Sequence, residues 1–321
     1  VADGPDPVTG WAASRQRLDD GRWHFAQGPI DLIIGLDGEP AACAAAIERA
    51  WRLFEPVLSA LVAELPRLRE ACPIEGVDPG QSKQHSEVDS GVRAAASPVP
   101  APQGPVACRM YEATARLARA TGLFITPMAA VAGAVADHLI GCFEVPGVHR
   151  AYVNNGGDIA LHLGPGMRYR VGVVGRFDAP ALDAAFEIDS RDSVRGVASS
   201  GWRGRSLSLG IADTVTVIAQ DAAAADAAAT LIANAVDVDD PAIERAPASA
   251  VRDDSDLGDR LVTVAVGALS GNSIDLALDA GEAFARRLSG LGLIDRAALL
   301  LADRWRVVPG PFPTLPLMRD D

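Results

Sequence analysis

The stretch AYVNNGGDIALHL, Ala151–Leu163, decides how the rest of the chain is read. Apolar runs lead into it and away from it, and Asn154, Asn155, Gly156, Gly157 and Asp158 lie between. Strand-like runs this close together call for a tight hairpin, which means antiparallel sheet. Asn155-Gly156 is a strong type I′ signal, because both central residues of that turn take positive φ. A hairpin alone leaves Asn154, Gly157 and Asp158 without a task. A tight loop with bare amides and an acid beside it suits a ribose, a sugar-like diol or a ring edge. Both readings stand, and Asp158 is the residue whose charge the second one needs.

Outward from this stretch the chain changes character. C-terminal to it come the short apolar runs YRVGVV, ALDAAFEI, SVRGVASS and LSLGIADTVTVIA, separated by glycine or aspartate. DAAAADAAATLIANAV then reads as an alanine-rich helix and DRLVTVAVGAL as a strand. SIDLALDAGEAFARRLSGLG reads as a strand start running into a helix, with Gly290 or Gly292 as its stop. N-terminal to it, RWHFAQGPIDLIIGLDG is strand, turn, strand, and residues 40–71 are helical, divided at Pro56 and Pro66. Further helices span 108–121 and 126–143, the second started by Thr126 as cap and Pro127 in the first turn. Residues 72–107 lose all periodicity and read as a connector or a lid carrying His85 or Arg93. The sum is one α+β domain over 1–321, a mostly antiparallel sheet with packed helices.

Composition narrows the function. The 321 residues are 49 % hydrophobic, enough for a large core. Acidic residues outnumber basic ones 42 to 29, which disfavours nucleic acid and anionic membrane as partners and favours a small-molecule substrate. The apolar run Gly122–Ala136 is too short to span a bilayer and contains a proline. The first ten residues lack the basic and apolar regions of a signal peptide. Four scattered cysteines without a CxxC pair fit a reducing cytoplasm, and five scattered histidines disfavour a histidine-built metal site. Alanine- and glycine-rich helix surfaces suit a homodimer.

Two further constellations carry chemistry. Asp226, Thr230 and Asn234 recur every four residues and so share one face of the alanine-rich helix. No lysine or glutamate occurs from Ala222 to Val236, so the helix is expected to be buried and its polar stripe to need partners. Carboxylate and hydroxyl oxygens there suit Mg²⁺, or they tie to neighbouring backbone. VASSGWRGRSLSLG, Val197–Gly210, places Ser199 and Ser200 before Arg203, Arg205 and Ser206. Two arginines in a serine- and glycine-rich loop make an anion clamp, or else an exposed basic turn. Asp213 just beyond is placed to pair with one arginine or to act as a catalytic acid. Ser200 is the candidate nucleophile, although no GxSxG or SxxK context surrounds it.

In order along the chain these pieces resemble a family. YVNNGGDIAL is similar to the vNlGGDi strand-turn of the FAD:protein FMN transferases, the ApbE superfamily. VASSG resembles their iaTSG turn, and DTVTVIAQDAAAADAAATLIANAV their strand and ADxxxT helix. MAAVAGAVADHL echoes their GaiAKGyavD helix, without its lysine. The resemblance runs from about Thr126 to Val236 and implies an ApbE-like, T-fold-like architecture with a flavin site at the strand-turn. It also implies a divalent metal, Mg²⁺, held by Asp226, Thr230 and the Ala198 backbone. Where the transferases carry a His-Asp-Pro run, this chain has WRGRSLSLGIAD. The resemblance therefore implies a shared scaffold and a metal or anion site. It leads to an enzyme for hydrolysis or group transfer on a small anionic or cyclic polar substrate. Asn154, Asn155, Gly156, Gly157, Thr126, Ser199, Arg203, Arg205 and Ser206 are expected to bind that substrate, with Asp158 as the acid or base. FAD-dependent FMN transfer and flavin or nucleotide binding without catalysis are the alternatives.

Overall fold

A computed structural model describes residues 11–74, 101–174 and 182–310. The N-terminal strands are β1 (Ser14–Arg17), β2 (Trp23–Gln27) and β3 (Ile30–Gly38). Helices α1 (Pro40–Phe54), α2 (Val57–Ala63), α3 (Leu65–Leu68), α4 (Pro105–Thr121) and α5 (Val131–Ile140) follow. Strands β4 (Val148–Asn155), β5 (Asp158–Leu163), β6 (Arg168–Val174), β7 (Leu182–Asp189), β8 (Gly196–Ser200) and β9 (Thr214–Ala219) lead to α6 (Ala222–Ala235). The chain ends with β10 (Ile243–Pro247), α7 (Ala248–Val251), β11 (Leu261–Val266), α8 (Gly271–Gly290), β12 (Arg296–Leu301) and β13 (Arg304–Val308).

Nine strands form one sheet in the order β1-β2-β3-β4-β5-β8-β9-β12-β13. Every described pairing is antiparallel, as the short turns require. Two hairpins stand outside the sheet, β6–β7 and β10–β11. The fold is α+β, as expected from the mix of runs.

The sheet separates two apolar layers. On one face α5 lies over β4 and β5, α6 over β8 and β9, and α8 over β12 and β13. Val153, Ala160, Ala198, Val217 and Leu299 meet these helices in the main core. On the other face Leu161, Leu163, Val197 and Ile218 pack with Phe186 and Ile188 of the β6–β7 hairpin. The period-two alternation of a strand sends successive side chains to these opposite layers. Both faces of β9 are covered, so all six of its residues are buried.

Several boundaries move from where the sequence pattern puts them. The helix expected at Cys108 starts at Pro105, since proline suits a first turn. The 126–143 helix is α5 between two short 3₁₀ turns. SIDLAL is helical from the outset, capped by Ser270, whose hydroxyl accepts from the Ser273 amide. LSLGIAD is a loop rather than a strand, because its backbone bonds run to α6 and the β10–β11 ribbon. Most of the suggested 72–107 connector, with His85 and Arg93, lies outside the described residues.

Helices α5 and α6 cross unusually closely. A Cβ on Gly133 would sit 2.2 Å from the Ala222 carbonyl oxygen, so only glycine fits. Each helix also caps the other's N-terminus. Asp137 on α5 accepts from the amides of Ala222 (3.0 Å) and Ala223 (2.8 Å), and Asp226 on α6 accepts from the Gly133 amide (3.0 Å). These are donors that no residue within the helix can satisfy. Carboxylates at helix N-termini also favour the helix dipole.

Candidate functional site

Register places the opening stretch. Asn155 pairs with Asp158, so Gly156-Gly157 alone form the loop, at φ +67° and +115°. The turn therefore centres one residue later than Asn155-Gly156. Asn155 stays in the strand because its side-chain amide donates to the Ala132 carbonyl of α5 (3.1 Å). The Asn154 side-chain Oδ1 accepts from the Gly157 amide (2.8 Å) and closes the turn. Both asparagines thus serve the hairpin and its seat.

Asp158 opens β5 on the helix-covered face and is 9 % exposed. Its Oδ1 accepts from the Ser199 amide (3.1 Å). Burial pushes this carboxyl well above the ordinary range, against the pull of the Ser199 amide and the Arg205 guanidinium. Asp226 faces it from α6. Burial raises the Asp226 carboxyl too, and the nearby charge of Asp158 raises it further, while the Gly133 and Ala132 amides oppose the rise. Two carboxyls whose proton affinity is raised by burial thus face each other, with the Arg205 guanidinium nearby.

The rest of the polar stripe divides. Thr230, one turn on, is half-buried, and its hydroxyl has no partner among the described residues. The Asn234 Oδ1 accepts from the Leu209 amide (2.9 Å) and the Ser208 hydroxyl (3.3 Å), so it anchors the 208–210 loop. Strand alternation sorts β8 in the same way. The Ser199 hydroxyl meets Thr216 at 2.8 Å on the far face, leaving only its amide beside Asp158. Ser200 shares the helix-covered face with Ala198, two residues before it. The Ser199 amide points to β5, so the Ala198 carbonyl, one residue back in the same peptide unit, points towards β9.

The two arginines also part company. Arg203 pairs with Asp213 (Nε to Oδ1, 2.7 Å) and lies over the Trp202 ring, 4.5 Å from its centroid. The other Asp213 oxygen accepts from the Ala302 amide (2.7 Å). Arg203 and Asp213 thus fasten the loop to the β12–β13 hairpin. Arg205 is exposed, packs against Gly156 and makes no ion pair among the described residues. A Cβ on Gly156 would fall 1.9 Å from its Nη2. Ser206 is exposed beside it.

Thr126 is buried, but it does not cap the helix that follows. Its hydroxyl donates to Asp256 Oδ2 at 2.5 Å instead. Asp256 belongs to residues 252–260, which the sequence reading did not single out. Arg252 Nη2 in that segment donates to the Arg205 carbonyl (3.1 Å), and Arg260 stacks 3.4 Å over Phe124. Asp137 was missed as well. A lone carboxylate in an apolar helix was its signal, because such a charge needs buried donors. Among the described residues no three His, Cys, Asp or Glu side chains gather as a metal site. No helix there is long and apolar enough to cross a membrane, and all four cysteines are free.

Residues 15–307 match the family model described as "AbpE bacteria". The chain belongs to this family. Among curated relatives it is similar to UPF0280 proteins of three archaea. That of Methanothrix thermoacetophila is 42 % identical over 39 % of this chain and 52 % of the relative. That of Archaeoglobus fulgidus is 36 % identical over 41 % and 54 %, and that of Methanocella arvoryzae 37 % over 43 % and 53 %. The chain spans about half the length of these relatives. Among solved structures, the apo flavinyl transferase ApbE of Pseudomonas stutzeri aligns with a TM-score of 0.31 and 15 % identity. That alignment covers 57 % of this chain and 50 % of the other. The ApbE-like resemblance is thus carried by the family match.

Proposed function

We propose that this member of a flavin-related transferase family performs group transfer or hydrolysis on a small anionic substrate at the Asp158–Asp226 pair. The observation that carries this reading is the pair itself: two carboxyls raised by burial, beside an unpaired Arg205 held against a glycine turn. A carboxyl whose proton exchanges nearer neutrality is suited to general acid–base work. Asp158 would hold or take the proton at its Oδ2, since Oδ1 is occupied by the Ser199 amide. Arg205 would hold a phosphate or carboxylate of the substrate.

The donor set also fits a hard divalent cation, because Asp158, Asp226 and Thr230 offer only oxygens. Asp226 and Thr230 would hold Mg²⁺, with Asp158 alongside. When bound, it supplies charge stabilisation to an oxyanion. The family supports FAD as the first substrate to test. Incubation of the protein with FAD, with and without Mg²⁺, is followed by chromatography for AMP and FMN. Metal-dependent release that is lost in Asp226→Asn supports transfer or hydrolysis at this pair. Absence of release with FAD and with other phosphate or carboxylate esters sinks the reading.

A further inference from the structure

Residues 252–260 form one side of the loop that carries Arg205. Arg252 binds the Arg205 carbonyl, Asp256 binds Thr126, and the Thr263 amide just beyond binds the Ser208 carbonyl (2.9 Å). In this patch Arg260 is half-buried, with its guanidinium 3.4 Å from the Phe124 ring centroid. Three of its acidic neighbours have other partners. Asp254 pairs with Arg69 (3.2 Å), Asp256 with Thr126, and Asp259 with the Ser249 hydroxyl (2.7 Å). The Arg260 side chain makes no hydrogen bond or ion pair among the described residues. A half-buried guanidinium without a counter-charge is costly unless something supplies one. The ring orients it face-on and leaves its in-plane N–H groups free, the edge that recognises phosphate or carboxylate bidentately.

We propose that Arg260, stacked on Phe124 beside the Thr126–Asp256 contact, is a second anion-binding residue next to the Arg205 loop. The ligand then carries two anionic groups, one at Arg205 and one at Arg260, as a pyrophosphate or a polycarboxylate does. This extends the reading of the Asp158–Asp226 site, but it concerns binding alone and is tested without turnover.

Calorimetric titration of the metal-free full-length protein with inorganic pyrophosphate, and separately with citrate, is the test. One of the two binds, and which one does tells phosphate from carboxylate. Arg260→Gln weakens it by roughly 10- to 100-fold, the worth of charge-assisted hydrogen bonds. Arg260→Lys keeps the charge and restores part of the affinity. Arg205→Gln weakens the same probe, and thermal melts check that each variant is folded. If neither probe binds the native protein, or if Arg260→Gln binds as the native protein does, the proposal is wrong. An inactive Asp158–Asp226 pair would leave this titration untouched, so the two readings fail separately.

Discussion

Two hairpins of this molecule each close through a two-residue loop and differ in what their loops are for. β4–β5 closes through Gly156-Gly157 and β12–β13 through Ala302-Asp303, and in both the two loop residues have positive φ. Ala302 and Asp303 hold φ of 48° and 62°, so this turn does not itself demand glycine. What Gly156 adds is space: the Arg205 guanidinium occupies the position of a side chain. The first hairpin carries Asp158 at its strand end and faces α6. The second offers the Ala302 amide to Asp213 and serves as a fixed post for the arginine loop. In the first hairpin the glycine makes room for an arginine, and in the second the loop amide holds an aspartate.

The sharpest way to break this contrast is to remove the acid pair that only the first hairpin serves. Asp158→Asn and Asp226→Asn are each expected to lower turnover about 10²- to 10⁴-fold, the usual worth of a positioned acid or base. Both should leave the far-ultraviolet spectrum unchanged. Turnover surviving both changes would make the hairpin merely structural, like its counterpart.

The helix clamp beneath the first hairpin gives the next effect. Burial pushes the Asp137 carboxyl up to about 6, with the charge of Asp221 adding to the rise and the amides of Ala223 and Ala222 opposing it. A carboxyl raised in the fold favours the folded state when protonated. Its contribution is full below the unfolded value near 3.8 and is lost as pH rises through about 6. The loss amounts to about 3 kcal/mol, from roughly two pKa units. Urea melts of native protein and Asp137→Asn at pH 4, 5, 6 and 7 isolate this group, because the other carboxyls cancel in the difference. The native protein should lose ground to the variant as pH rises. A pH-independent difference would mean that Asp137 stays ionised throughout.

Gly156→Ala tests the space argument more gently. Alanine at φ +67° costs about 1 kcal/mol in the left-handed region. Its Cβ must also displace Arg205 Nη2, the far end of a flexible side chain, so the chain folds. Anion affinity is expected to fall roughly tenfold, as when one charge-assisted hydrogen bond is lost. Unchanged affinity would show that Arg205 does not hold the ligand from that position.

These hairpins also show what the sequence makes legible. The strands around Gly156-Gly157 and the helix with Asp226 were readable because alternation and four-residue spacing are local. The exact turn centre was not, because a tertiary bond from Asn155 to Ala132 keeps that residue in the strand. Arg203 and Arg205 look alike in the sequence, yet Asp213 takes the first and leaves the second free. Asp256 and Arg260 reach the site from more than a hundred residues beyond Thr126 and Phe124, a contact that no periodicity encodes. The opposite faces of Ser199 and Ser200 follow from strand alternation, but only once the register is known.

The smallest effect isolates the second hairpin. Ala302→Gly relieves a left-handed alanine in a loop whose amide still reaches Asp213, since the substitution alters no hydrogen bond. Two terms compete: about 1 kcal/mol is gained from the φ, and a few tenths to about 1 kcal/mol is lost to the freer unfolded chain. The net gain is expected to lie between zero and about 0.7 kcal/mol, read as a small rise in the urea midpoint at unchanged slope. Turnover and anion affinity should not move, because the Arg203–Asp213 post keeps its place. If activity fell with Ala302→Gly, this hairpin would be more than a support. Its Ala302–Asp213 contact would then be setting the position of the arginine loop, and the contrast between the two turns would be one of degree.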